Sequence, residues 1–114
     1  MQANGFGKSM KPLFLYITCP SRDEARKIAE ALVEQRLVAC ANIMAAHESI
    51  YQWQGKIERA DEVAVIFKTR ADLFDHIKSA ILKLHSYETP CIVALPIEKG
   101  HEPFLQWIQA ETQK

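Results

Sequence analysis

The chain has 114 residues, of which 48% are hydrophobic and 25% are charged, and its 14 basic residues balance 14 acidic ones. This length and composition predict one globular domain with a single hydrophobic core. A neutral total gives no general attraction to nucleic acid or to an anionic membrane, and no apolar stretch approaches the roughly 20 residues of a membrane span. We therefore expect neither nucleic acid nor a membrane among the partners.

The first segment and the cysteines indicate where the protein works. Residues 1–11 contain two glycines and no apolar segment of a secretory signal, so we predict a flexible N-terminal tail there and a single domain over residues 12–114. Cys19, Cys40 and Cys91 are odd in number, lack Cys-x-x-Cys spacing and lie in apolar runs. They are interpreted as buried free thiols of a cytoplasmic protein.

The first half of the domain begins with a strand and a helix. The apolar run at residues 13–18 predicts a buried strand. A helix is predicted over residues 21–35, because a serine and a glutamate form a capping box at its start and apolar residues follow at helical spacing. A longer strand pattern covers residues 38–54. It is interrupted near His47, which predicts a bend or bulge there.

A long β-hairpin with an aromatic tip is predicted next. Tyr51 and Trp53 alternate along the strand, and Gly55 supplies the turn. The return strand is expected from Lys56 to Lys68. Its charged first part, residues 58–62, predicts a solvated stretch.

The second half completes the topology. Thr69 is a candidate cap for a helix that ends near Leu84, residues 91–95 predict a strand, and the apolar pattern around Trp107 predicts a short C-terminal helix. The order β-α-β-β-α-β plus a helix is the split βαβ, ferredoxin-like arrangement of the α+β class, with an antiparallel sheet. Right-handed crossovers place both long helices on one side of this sheet.

Both faces of the predicted sheet are apolar, although two helices cover only one of them. Each large apolar side chain left in water forfeits about 1.5–3 kcal/mol. We therefore predict an obligate homo-oligomer in which a second subunit covers the other face. The alternative is that the C-terminal helix covers it.

Several motifs in order resemble one family. They are Arg36–Asn42, Ser49–Lys56, Glu62, Lys68-Thr69, His85–Pro90 and Phe104-x-x-Trp107. From about Leu13 to Ala110 the chain resembles the CutA divalent-cation-tolerance proteins. The resemblance implies a ferredoxin-like homotrimer similar to the PII signalling proteins, with a role in metal tolerance and with copper, or another divalent cation, as a ligand.

The histidines are the first candidates for metal ligands, since copper and zinc require clustered imidazole, thiolate or carboxylate groups. The four histidines are scattered along the chain. His85 is the best single candidate, because it lies at a predicted helix end two residues before Tyr87, and Glu88 is a weaker one. The alternative for His85 is that its imidazole caps the helix C-terminus.

A second set of residues combines aromatic rings with polar groups, as small-molecule sites do. This set is Tyr51, Trp53, Lys68, His85, Tyr87, Glu88 and Trp107. Subunit packing is the alternative explanation, because interfaces also favour Tyr and Trp. No phosphate loop, nucleophile elbow or catalytic triad is present in the sequence, so we expect no enzyme.

Two functions follow from these patterns. The first is a cytoplasmic homotrimer that acts in divalent metal (copper) tolerance, with direct copper binding through His85. The second is a PII-like signalling trimer that binds a small anionic ligand at subunit interfaces without catalysis.

Overall fold

A computed structural model describes residues 10–113. Its elements are β1 (Pro12–Cys19), α1 (Arg22–Glu34), β2 (Cys40–Trp53), β3 (Lys56–Arg70), α2 (Phe74–Leu84), β4 (Ile92–Pro96) and α3 (Glu102–Glu111). The four strands form one antiparallel sheet in the order β2-β3-β1-β4. This is the predicted ferredoxin-like α+β fold. The predicted tail lies outside the described residues except for Met10 and Lys11, and the Lys11 carbonyl accepts a hydrogen bond from the Ala71 amide at 2.9 Å.

The core lies between the sheet and the two long helices. From the sheet, Leu15, Ile17 and Phe67 are fully buried, and Ile28 of α1 and Ile77 of α2 pack against the same cluster. In the strands these side chains alternate with those of the opposite face, whereas in the helices they recur at helical spacing. The two periodicities place every one of them on the same side of the sheet.

The start of α1 follows the predicted cap. Ser21 Oγ accepts the Glu24 amide hydrogen at 3.1 Å, which satisfies one of the free donors at the helix start. The reciprocal half of the capping box is absent, because the Glu24 carboxylate accepts the Ser86 amide hydrogen at 2.9 Å instead. The glutamate therefore connects α1 to the loop after α2.

The predicted cap of α2 is wrong. Thr69 lies within β3, which pairs with β1 as far as Arg70, and its hydroxyl donates to the Leu37 carbonyl at 2.6 Å. A 3-10 turn, Ala71–Leu73, leads into α2. The Leu37 carbonyl lies in the connection between α1 and β2, so the buried Thr69 hydroxyl is engaged there and is not available to cap a helix.

The hairpin of β2 and β3 is long and is closed by a two-residue turn. Its pairing extends from Cys40 and Lys68 to Trp53 and Lys56. The turn residues Gln54 and Gly55 have φ of 52° and 81°, the left-handed region that such hairpin turns require. The predicted bulge is present, between Ile43 and Ala46, slightly before His47.

The two faces of the sheet differ in how they are covered. Helices α1 and α2 cover one; we call the other the second face. Helix α3 contacts β1 and β3, and its buried Leu105 and Ile108 lie outside the main core cluster. On the second face Val93 and Leu95 remain 52% and 63% exposed. The C-terminal helix therefore covers only part of the second face, and the rest is left to solvent in a single chain.

Candidate functional site at the base of the hairpin

A buried carboxylate joins the hairpin to the loop after α2. Glu62 is only 7% exposed. Its Oε1 accepts the Ser49 hydroxyl at 2.6 Å and its Oε2 accepts the Tyr87 hydroxyl at 2.7 Å. We call these three residues the Glu62 network. The prediction that residues 58–62 are solvated is wrong at Glu62, because two hydroxyl donors replace the water that a carboxylate would otherwise need.

His85 lies beside this network with both ring nitrogens occupied. Its Nε2 is 2.7 Å from the Thr18 carbonyl oxygen, which can only accept, so Nε2 carries the hydrogen. Its Nδ1 accepts the Tyr87 amide hydrogen at 3.1 Å. These two contacts fix the orientation of the ring, with Nε2 toward Thr18 and Nδ1 toward the Tyr87 amide. The Glu24 carboxylate lies 3.3 Å from Nδ1.

The ring of His85 does not cap α2. The backbone amide of the same residue does so by donating to the Ile81 carbonyl at 2.8 Å. The imidazole side chain is fully buried and connects the end of α2 to the end of β1. The alternative that the imidazole caps the helix is therefore wrong, and the ring instead links two elements of the fold.

In the described part of one chain, the candidate donor groups do not form a metal site. His85 has no free ring nitrogen, and Glu88 is exposed. Within residues 10–113 no group of three His, Cys, Asp or Glu side chains is arranged to hold a metal ion. A transition metal needs several such ligands around one point. The role of His85 and Glu88 as ligands stays a prediction, and this arrangement does not by itself supply a site.

The predicted pocket residues are divided among three places. His85 and Tyr87 are in contact, with ring centroids 4.8 Å apart. Trp53 pairs with Lys56 at the hairpin tip, whereas Lys68 pairs with Cys40 at the other end of β3. Lys56 and Lys68 are twelve positions apart on one strand, which is about 40 Å at the usual rise. A single chain therefore does not bring Trp53 and Lys68 into one pocket.

Of the remaining members, Glu88 is exposed in the loop after α2, and Tyr51 and Trp107 lie on β2 and α3. Tyr51 is close enough to Tyr87 to contribute to its pKa. Trp107 lies on α3, where it stacks on Phe104 with centroids 5.5 Å apart. Lys68 donates a hydrogen bond through Nζ to the Asn42 side chain. The pocket prediction is untested, but it requires a second subunit.

Burial and nearby carboxylates raise the pKa values of two cysteine thiols and one tyrosine hydroxyl around this site. Burial raises the pKa of the Cys19 thiol to about 12, and the charges of Glu24 and Glu62 add to this effect. Burial also raises the pKa of Tyr87, with the hydrogen bond to Glu62 as the next cause. The pKa of Cys91 is also raised, first by partial desolvation of its thiol and then by the charge of Glu62, although the residue as a whole is exposed. A thiol that keeps its proton is a poor nucleophile and a poor metal ligand.

All three cysteines are free, as predicted, but they are not all buried. Cys19 is buried in the core, Cys40 is half-buried and Cys91 is exposed. Cys91 lies just before β4, which is an edge strand of the sheet. The prediction of burial from the surrounding apolar run is therefore wrong for Cys91.

The sequence contained a signal for the Glu62 network that was missed. A two-residue turn at Gln54 and Gly55 sets the register of the hairpin, and in this register Ser49 pairs with Ala60. The serine then lies diagonally opposite Glu62 on the same face of the sheet. Glu62 also directly precedes the buried run that begins at Val63. A carboxylate at that place needs hydrogen-bond donors, and the hairpin register identifies one of them.

The fold and this site define a class of small α+β proteins with a ferredoxin-like sheet, a projecting hairpin and a buried polar network at its base. The sequence model of the family described as CutA1 divalent ion tolerance protein matches residues 13–111. The chain belongs to this family.

Relatives and solved structures agree with this assignment. The divalent-cation tolerance protein CutA of Archaeoglobus fulgidus is 50% identical over 95 residues, which are 83% of this chain and 92% of the relative. Its structure, described as that of a periplasmic protein, has a TM-score of 0.87 and covers 90% of this chain and 99% of that one. The divalent cation tolerance protein of Thermus thermophilus has a TM-score of 0.88 at 42% identity, with the same coverage.

The human Protein CutA is 41% identical over 98 residues, which are 86% of this chain. This chain spans 55% of the human protein's length, so the mammalian relatives are considerably longer. The predictions of the family, of the fold and of membership among divalent-cation-tolerance proteins are confirmed. Within residues 10–113 no helix is both long and apolar enough to cross a membrane.

Proposed function

We propose that the protein acts as a cytoplasmic homotrimer in tolerance of divalent metal ions, copper above all, and that it does so without catalysis. The observation that carries the proposal is the apolar second face of a chain that belongs to the CutA family. Three copies packed through their second faces would bury Val93 and Leu95. Three free cysteines support a reducing compartment.

The absence of catalysis is supported by the state of the polar groups. The Cys19 thiol has its pKa raised to about 12 and is buried in the core. Tyr87, whose pKa is also raised, donates its hydrogen to Glu62. Both Glu62 and Tyr87 are engaged in holding the hairpin to the loop after α2, which is a structural task.

Direct copper binding is the finer part of the proposal, and we expect it to be weak. His85 would have to release the Tyr87 amide to free Nδ1 for a metal ion. Releasing a hydrogen bond between buried groups costs about 1–3 kcal/mol, which lowers the affinity by about one to two orders of magnitude.

Calorimetry with copper and with zinc tests the role of His85. The variants are His85→Ala and, as a matched control, His76→Ala, which removes an exposed imidazole from α2. We expect weaker copper binding for the first variant and unchanged binding for the second, with thermal unfolding verifying that both are folded. Equal binding by wild type and His85→Ala would remove His85 from the proposal. Tolerance itself is measured by growth at inhibitory copper concentrations of a bacterium that lacks its own CutA and carries this chain.

A second candidate function is a PII-like sensor that binds a small anionic ligand between subunits. Trp53 and Lys68 favour it, because they lie about 40 Å apart along the hairpin and would meet only across an interface. A thermal-shift screen of nucleotides and organic anions tests it, since a ligand at 100 times its Kd adds about 2.7 kcal/mol of stability. Any shift should be lost in Lys68→Gln and kept in Lys27→Gln. No shift with a well-folded oligomer would count against this function.

A further inference from the structure

A groove lies on the opposite side of the domain from the second face, between α1 and α2. Its volume is about 480 Å³, within the range of small-molecule sites. Buried Leu37 and half-buried Ala80 and Leu84 form an apolar floor. Exposed Ser79 and Lys83 of α2 line its rim. The groove is separate from the Glu62 network and is complete within one chain.

The formal charge in the groove lining is positive. The lining includes Lys83 but no Asp or Glu. Within residues 10–113 Lys83 makes no ion pair, so its ammonium group is available. At the rim, the side-chain amide of Gln35 can donate to an anion, whereas that of Gln113 already donates to the Gln35 carbonyl.

The end of α1 does not cancel this charge. The C-terminus of a helix usually presents unpaired carbonyl groups, which repel anions. Here the Ala31 carbonyl accepts the Gln35 amide hydrogen at 3.1 Å, and the Leu32 carbonyl accepts that of Leu37 at 3.0 Å. The Gln35 carbonyl accepts from the side chain of Gln113 at 2.9 Å. The negative end of α1 is thereby largely satisfied where it borders the groove.

We propose that this groove binds a small carboxylate with an apolar body. The carboxylate would lie at Lys83 and accept from the Ser79 hydroxyl, and the apolar body would cover Leu37, Ala80 and Leu84. One free lysine beside an apolar floor suits a single negative charge; a polyphosphate would require more cations and gain nothing from the floor. This site differs in place and composition from the interface pocket of the second candidate function.

Nuclear magnetic resonance titration of the whole protein tests the site with hexanoate as the probe and 1-hexanol as its uncharged counterpart. We expect hexanoate to move the amide resonances of Ser79, Ala80 and Lys83 saturably. Lys83→Gln should weaken binding by about tenfold, since it removes a charge-assisted hydrogen bond. Lys78→Gln makes the same change on the same helix, but Lys78 Nζ lies 6.0 Å from the Phe74 ring centroid and outside the groove lining, so affinity should be kept.

A second variant, Ala80→Phe, fills the floor and should abolish hexanoate binding in a folded protein. Three results would overturn the proposal. The first is binding of hexanol as tight as that of hexanoate, and the second is equal weakening of binding by the two lysine variants. The third is that the moved resonances belong to the second face or to the hairpin.

Discussion

The same strands form two regions that differ in burial. One is the body of the domain, by which we mean the side of the sheet covered by α1 and α2. The other consists of the hairpin and the second face. On β3, Phe67 is fully buried beneath the helices, whereas Ile57, ten residues earlier, is 65% exposed on the hairpin. On β4, half-buried Ala94 faces the core while its neighbour Leu95 is 63% exposed. One chain therefore completes the burial of only one side of its sheet. The helix-covered side therefore contains the main core, and the exposed surfaces are those on which the proposed assembly would depend.

The largest effect is expected in the body. Phe67→Ala removes a fully buried ring and should lower the free energy of unfolding by about 3–5 kcal/mol, through lost burial and the cavity left behind. Urea unfolding of the variant gives this value. Ile57→Ala is the control and should change the unfolding of a single chain by less than about 1 kcal/mol, because its side chain is mostly in water. Similar losses for both would contradict the division between body and hairpin.

On the second face, the expected effect is on assembly. Leu95→Glu places a charge where we propose that a neighbouring subunit packs, and it should cost about 2–3 kcal/mol per subunit in association. Sedimentation velocity should show a shift from trimer toward monomer. Leu82→Glu is the matched control, because Leu82 is 50% exposed but lies on α2. Dissociation by both variants, or by neither, would argue against the second face as the interface.

Most of the fold was predictable because local signals and periodicity agreed. Ser21 begins α1 as its capping pattern indicates, and Gly55 closes the hairpin because its φ of 81° suits glycine. The alternation of apolar residues in both registers predicted two apolar faces, and Leu95 confirms the exposed one. Such signals depend on neighbours in sequence, so a single sequence contains them.

The candidate site was harder to predict, because it depends on contacts between distant segments. Thr69 has the chemistry of a helix cap, but the Leu37 carbonyl, 32 residues away, takes its hydroxyl. Glu62 belongs to a charged stretch that predicts solvation, but Tyr87 reaches it from the loop after α2. The residues predicted to line a pocket do not meet within one chain, since Trp53 and Lys68 lie at opposite ends of the hairpin, so this prediction depends on a second subunit.

At the junction between body and hairpin the expected effect is smaller. Tyr87→Phe removes one of the two hydroxyl donors to Glu62 and should cost about 1.5–2 kcal/mol, as for other hydrogen bonds to a carboxylate. Thermal or urea unfolding measures the loss. Tyr16→Phe, which removes a hydroxyl from the second face, should cost less. If the two phenylalanine variants were equally stable, the Glu62 network would not hold the hairpin to the body.

Per pH unit, the smallest effect comes from a single thiol of the core, that of Cys19. The Cys19 pKa is about 12 in the folded chain against an ordinary 9.0, because burial disfavours the thiolate. Below pH 9 both states keep the proton and the contribution to stability is complete. Between pH 9 and 12 only the unfolded chain loses it, so stability should fall by at most about 1.4 kcal/mol per pH unit.

Unfolding measured across this pH range should show a shallower slope in Cys19→Ala than in the unaltered chain. The slope should be unchanged in Cys40→Ala, whose thiol lies half-buried on the second face beside Lys68. An unchanged slope in Cys19→Ala would mean that the thiol reaches water readily. Water would then enter the core around Cys19 more easily than the full burial of this residue indicates.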